Sequence, residues 1–183
     1  MATIQAPVKS TTWKIDPAHS IVEFAVKHLM ISTVKGRFTD VEGEIVIAGD
    51  DPSKSSVSAT LKAASIDTRT GQRDDHLRSP DFLDALNFPE INFRSTRITG
   101  DTSELKVTGD LTIRGVTRQV TLVATNEGSG KDPWGGERIG FSASTKLDRR
   151  DFGLTWNQTI EAGGVLVGND VKVTIDIEAV KEA

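Results

Sequence analysis

Cysteine is absent from the 183-residue chain. Its absence excludes disulfides, thiolate metal sites and cysteine nucleophiles, and it leaves the redox compartment unreadable. Histidine is scarce, the three imidazoles being His19, His28 and His76. On a regular strand His19 and His28 point to opposite faces, so a shared metal would need a bulge between them; no metal site is expected. The formal net charge is −4, with Lys and Arg scattered along the chain, so no basic stripe exists to track a phosphate backbone. A nucleic-acid partner is not expected.

Long apolar runs are also missing. No stretch approaches a membrane span, and MATIQAPVKSTTW has neither the basic first segment nor the apolar run of a secretory signal. The expectation is a soluble, cytoplasmic chain without a transmembrane segment; a periplasmic or secreted protein whose leader was replaced by Met is the alternative. There is no G-x-S-x-G elbow, and GSGKD lacks the strand-to-helix context of a phosphate loop. Neither a catalytic residue nor a cofactor is assigned. Internal repeats and low-complexity tracts are lacking, which predicts a short N-terminal tail over residues 1–11 and a single domain over 12–183.

What the chain does have is a period of two. In ELKVTGDLTI, Leu105, Val107, Leu111 and Ile113 share one face while Glu104, Lys106, Asp110 and Thr112 share the other. The same alternation runs through Val57, Ala59, Leu61 and Ala63, and through Ile139, Phe141, Ala143 and Leu147. Between Val34 and Ile47 its phase slips by one residue, which predicts a bulge or bend near Thr39 and Asp40, with Gly36 and Gly43 easing the curvature. Seven to nine such strands, separated by turn signals, make an all-β protein, an antiparallel sandwich or barrel. Several inward positions are small: Ala59, Ala63, Ser95, Gly109, Ala124 and Ala143. They either leave a ligand cavity or let two sheets approach closely, and patterning alone does not separate the two.

Only GQRDDHLRSPDFLDALNF breaks the strand pattern. Thr70 is a candidate N-cap for a helix over 71–78, and Ser79-Pro80 reads as a second N-cap with Pro at N1. Asp74 and Arg78 are spaced for a surface ion pair, and Leu77, Phe82, Leu83, Leu86 and Phe88 supply an apolar underside. The segment therefore reads as a lid, tied by Arg73, Asp74 and His76 to the rim, with Arg149 and Asp151 as natural partners. A head-group contact and acid–base catalysis by His76 are the alternatives, and no nucleophile accompanies that base.

WKIDPAHSIVEFAVKH, VKGRFTDVEGEI, SIDT, RDDHLRSPDFLDALNFPEINFRS, GDLTIRGVTRQV, LDRRDFG and VGNDVKVTIDIE, in this order from Trp13 almost to the end, resemble the lipocalin-like YceI family of bacterial polyisoprenoid-binding proteins. The resemblance implies an elongated antiparallel lipocalin-like β-barrel of about eight strands, with a short helical lid at about residues 70–86. It implies a non-enzymatic role in sequestering or transporting a long-chain isoprenoid or related amphiphile, such as a polyprenyl lipid or quinone tail. The family's strand residues fall on Phe24, Val26, His28, Phe38, Phe93, Leu111, Ile113 and Phe141, and its lid residues on Arg73, Asp74, His76, Leu77, Phe82 and Phe88. Leu61, from the inward phase, and Arg149, at the rim, complete the candidate ligand contacts. The family's usual Asn before the Arg-x-Asp-Phe-Gly stretch is Asp148 here. Oligomeric state is not fixed by these features, a homodimer being admitted beside a monomer.

Overall fold

The structure, a computed structural model, describes residues 9–183. Residues 1–8 of the expected tail lie outside them, and Ser10 and Thr11 already belong to the first strand. The strand segments are β1 (Ser10–Ile15), β2 (Ile21–His28), β3 (Ser32–Phe38), β4 (Val41–Ala48), β5 (Ser56–Lys62), β6 (Ile66–Asp67), β7 (Glu90–Gly100), β8 (Leu105–Ile113), β9 (Val116–Lys131), β10 (Glu137–Asp148) and β11 (Val167–Lys181). One α-helix, α1 (Gly71–Arg78), separates β6 from β7.

Six of these segments are halves of three longer strands. A 3-10 turn at Pro17–His19, capped by the Asp16 carboxylate on the Ala18 N–H, divides β1 from β2. Thr39 and Asp40 divide β3 from β4, where the alternation slips, and a second 3-10 turn at Ala63–Ser65 divides β5 from β6. The last two interruptions face each other and satisfy one another's backbone: Thr39 N–H donates to Ser65 O, Lys62 N–H to Asp40 O, and Asp40 N–H to Ser65 Oγ. A kink in one strand is thus tolerated because its neighbour kinks beside it.

Read through the breaks, the chain is an antiparallel meander of eight strands in which the last returns to the first. The register pairs β2 with β3 (Val22 with Phe38) and β1 with β4 (Trp13 with Ile45), and β11 meets both β2 (Ile175 with Val22) and β1 (Lys181 with Trp13). This is a closed barrel, which removes the free edges of a sheet and leaves an interior just wide enough for side chains or one ligand.

Arg138 bolts one end of the closure. Its guanidinium reaches Asp16 at 2.8 Å, Glu178 at 2.6 Å and Asp132 at 2.9 Å, tying β1, β11 and the β9–β10 hairpin together. The Arg138 bond holds Asp16 at about 2, well below the usual carboxylate range, with His19 adding to it. Asp16, His19 and Glu178 lie close enough to share a cation, but Arg138 already occupies both carboxylates.

The apolar packing is divided. One cluster, Ala63, Ile66, Phe82, Leu83, Ile91, Phe152 and Leu154, plugs the end where α1 lies. Smaller ones sit in the wall, around Trp13, Ile139 and Ala179, around Ile15, Val22 and Val41, and around Ile98, Val107 and Ala124. A filled domain of this size would show one contiguous core. Here the clusters surround a space, and the two alternatives left by the small inward residues resolve in favour of a hollow barrel.

Candidate functional site

A cavity of about 830 Å³ runs through that space. Its walls are the inward phases of the strands: Phe24, Val26 and His28 on β2, Phe38 on β3, Leu61 on β5, Phe93 on β7, Leu111 and Ile113 on β8, and Phe141 on β10. Each reaches the interior because side chains two apart on a strand share a face. The cavity extends from His28 and α1 at one end to Gly49, Asp50, Thr102 and Asn126 at the other, and its middle is Val, Ile, Leu, Phe and Ala.

The small residues do two different things. Ala59, Ala124 and Ala143 face the cavity directly and leave it open. At Gly109 the vacated space is taken by the Phe93 ring, whose Cζ lies 2.6 Å from where a Cβ would stand. Gly36 does the same for Phe24, whose Cζ would lie 2.4 Å from a Cβ, and the Phe24 ring then meets Phe38 at 5.9 Å between centroids. A Cβ at either glycine would collide with the ring, and at Gly109 with the Arg94 backbone carbonyl as well. Ser95 is not a liner; its hydroxyl accepts from the Val57 N–H. Ala63 lies in the plug.

At the lid end the aromatic side chains form a box around His76. Its ring meets Phe82 at 5.0 Å and Trp156 at 4.6 Å, edge-on to both, and its Nε2 bonds Asp81 Oδ2 at 2.9 Å. Arg73, Leu77 and Arg149 line the same end. Trp156 carries no periodic signal in the sequence: it lies in the irregular segment between Gly153 and Val167, where no period marks which side faces inward. Its only signal was the scarcity of Trp, of which the chain has three.

α1 spans the residues expected, but its anchoring differs. Asp74 is buried and accepts from the Thr68 N–H at 2.8 Å and the Thr68 hydroxyl at 2.5 Å. Arg73 donates to Thr68 Oγ1 and Thr68 O, and Arg78 to the carbonyls of Ala64 and Ile66. The lid is therefore tied to the strand that precedes it. The expected partners Arg149 and Asp151 make none of these bonds, and Arg78 pairs with Asp75 rather than Asp74. Thr70 occupies the cap position, yet its hydroxyl accepts from Arg73 and bonds no α1 N–H. Asp74→Ala strips the Thr68 N–H and hydroxyl of their acceptor in a dry site, so a loss of about 1–3 kcal/mol is expected in urea unfolding.

The second helix expected after Ser79-Pro80 is a run of turns instead. Asp84 N–H returns to Ser79 O, Leu83 N–H to Leu77 O and Ala85 N–H to Arg78 O, bonds that fold the chain back on the end of α1 and prevent a new helix from propagating. That path buries Phe82 and Leu83 but leaves Leu86 92 % exposed. Phe88, a candidate ligand contact, lies outside the cavity, its ring covering Gly115 in the β8–β9 turn. Of the other strand and lid residues named from the resemblance, together with Leu61 and Arg149 at the rim, all but the buried Asp74 line the cavity.

Arg149 opens a 3-10 turn (Arg149–Phe152) that Asp148 caps by accepting from the Arg150 N–H; bonds from Arg150 hold the Asp148 carboxyl at about 2. The Arg149 side chain is 5 % exposed and meets no carboxylate. It donates to Gly168 O at 2.9 Å, Leu154 O at 2.7 Å and Trp156 O at 2.8 Å, stapling the Trp156 segment to the start of β11. Burial pushes its guanidinium down from its ordinary value. Asn157 reinforces the staple through both Val167 O and Val167 N–H.

A closed eight-stranded barrel, hollow, apolar within and plugged at one end by a short helical lid, is a lipocalin-like scaffold. The chain belongs to the YceI-like family: the model of the YceI-like domain matches residues 13–179. It is 39% identical over 172 residues to Protein YceI of Salmonella newport, covering 93% of this chain and 87% of that one. Among solved structures, the YceI protein of Campylobacter jejuni is 36% identical with a TM-score of 0.71, covering 86% of this chain and 90% of that one. A polyisoprenoid binding domain from Saccharophagus degradans, implicated in plant cell wall breakdown, shares the fold with a TM-score of 0.68 at 14% identity, covering 93% and 98% of the two chains.

Proposed function

We propose that this protein binds a long-chain isoprenoid lipid, a polyprenyl lipid or a quinone tail, and sequesters or transports it without transforming it. The observation that carries the reading is the apolar cavity of about 830 Å³ running nearly the length of the barrel. Each methylene buried in it contributes about 0.8 kcal/mol, so the length of a flexible chain by itself supplies affinity. The polyisoprenoid-binding domain with the same fold supports the choice of ligand class. The polar groups at the lid end, Arg73, His76 and Arg149, are largely engaged with the protein itself, which suits a site that selects for shape and apolarity.

Mass spectrometry of an organic extract from freshly purified protein tests this. The expected result is a bound lipid with a long apolar chain, or stoichiometric uptake of added polyprenyl lipid; an empty extract together with no uptake overturns it. One observation favours a second reading, an enzyme acting on an amphiphile: the Asp81–His76 bond orients an imidazole at the cavity wall as a general base is oriented. Turnover of a candidate amphiphile that disappears in a folded His76→Ala variant would establish that reading in place of the first.

A further inference from the structure

The β2–β3 hairpin ends in a turn whose chemistry is wrong for its shape. Leu29 and Met30 both have positive φ, 52° and 60°, and Ile31 N–H closes the turn on His28 O at 3.1 Å. Two successive central residues at positive φ define the tight hairpin turn that selects Asn-Gly or Asp-Gly, because a Cβ there is strained. Leu-Met is a costly choice for folding, and while Leu29 is half-buried, Met30 recovers none of the cost in a core. Met30 is 61 % exposed and the next residue, Ile31, 82 % exposed. Strain combined with exposed apolar surface marks a position kept for contact with something else.

The tip is continuous with the cavity. His28 at its base and Val34 behind it line the cavity wall, and Leu29 N–H donates to the carbonyl of Leu166, another liner, at 2.9 Å. That bond brings alongside the segment carrying Val165, itself 38 % exposed. The hairpin is also cationic. Between Ala25 and Phe38 its charged residues are Lys27, Lys35 and Arg37, all exposed, with no carboxylate among them; Arg37 faces Asp67 at 3.4 Å. Trp134 is equally exposed at the opposite end, but it sits in a turn beside Asp132 and Glu137, and no residue from 127 to 138 lines the cavity.

We propose that the Leu29–Ile31 tip docks on the surface of an anionic lipid bilayer, inserting Met30 and Ile31 among the acyl chains while Lys27 and Lys35 meet the headgroups, so that lipid passes between membrane and cavity at this end. Apolar side chains at the interface and flanking cations are the two contributions that hold a peripheral protein to an anionic membrane. The passage of lipid rests on the binding reading above; the docking does not.

The test uses lipid-stripped protein and vesicles of phosphatidylcholine with or without phosphatidylglycerol. The parent is expected to float with the anionic vesicles and far less with the neutral ones. The triple variant Leu29→Asn, Met30→Gly, Ile31→Thr installs the residues the turn prefers, so its melting temperature should hold or rise while flotation falls by about tenfold or more. Lys27→Gln with Lys35→Gln should erase the preference for phosphatidylglycerol. Polyprenyl lipid delivered from ethanol should load parent and triple variant alike, whereas delivery from vesicles should be about tenfold slower for the variant. Undiminished flotation of the triple variant overturns the proposal, as does equal delivery from vesicles, or a tip that instead drives self-association of the parent. If the parent loads from neither source the binding reading fails, and flotation of the stripped protein still decides the docking surface.

Discussion

Ala143→Phe is expected to reduce lipid uptake to near background while leaving the lipid-stripped protein almost as stable as the parent. Ala143 sits mid-strand on β10, opposite Ala124 on β9 and Ile175 on β11, and all three face the cavity. A phenyl ring there would project toward the cavity, which should admit it with little movement of the Ile98, Val107 and Ala124 cluster that Ala143 packs against. In a filled core the same enlargement would cost about 1–3 kcal/mol in strain. In this barrel the penalty should stay below about 1 kcal/mol, because the ring finds open volume in place of packed side chains. The ligand carries the loss: a chain threaded along the barrel must pass this level, and a blocked bore forfeits every methylene beyond it. Urea unfolding of the stripped variant beside uptake of polyprenyl lipid reads both quantities. Retained uptake, or a stability loss of the overpacking size, would refute the hollow bore at this position.

Arg149→Leu is expected to cost the most stability of any substitution at the lid end. The guanidinium is buried, and its donors serve the carbonyls of Leu154, Trp156 and Gly168. Leucine preserves much of the volume but leaves those acceptors without partners, at about 1–3 kcal/mol for each that water does not reach. A total of about 3–5 kcal/mol is expected. Arg149→Lys should recover only part of it, because an ammonium lacks the planar fork that reaches several carbonyls at once. Loss of the staple should also release the Trp156 side of the His76 box, altering the near-ultraviolet circular dichroism before global unfolding. A loss below about 1 kcal/mol would show that the staple is dispensable.

The two substitutions divide along what the chain makes readable. Phe24, Val26, His28 and Phe93 come to the lining through the resemblance to the family, whereas Leu61, Leu111, Ile113 and Phe141 fall to the interior by alternation, since the side a residue faces on a strand is decided by its parity and its nearest neighbours. The slip of phase at Thr39 and Asp40 was readable for the same reason, and α1 was delimited by the break in the pattern.

What the chain order does not encode locally is which distant groups meet. Asp74 could have paired with Arg78 or Arg149; it is buried against Thr68 because α1 folds back on the strand before it. Phe88 has the same apolar character as Phe82, yet the turns that follow α1 carry it out over Gly115. Trp156 joins His76 only because Arg149 and Asn157 hold an aperiodic segment against β11. The hollow interior depends on closure itself. Ala59, Ala124 and Ala143 would fit an open bore or a tight sheet contact equally well. The pairing of β11 with both β1 and β2 sets the circumference, and the circumference decides that these small side chains border space. Parity along each strand thus determined the apolar lining, and ring closure determined that the lining encloses a cavity, because a barrel's width comes from strand number and register, which no local stretch of sequence contains.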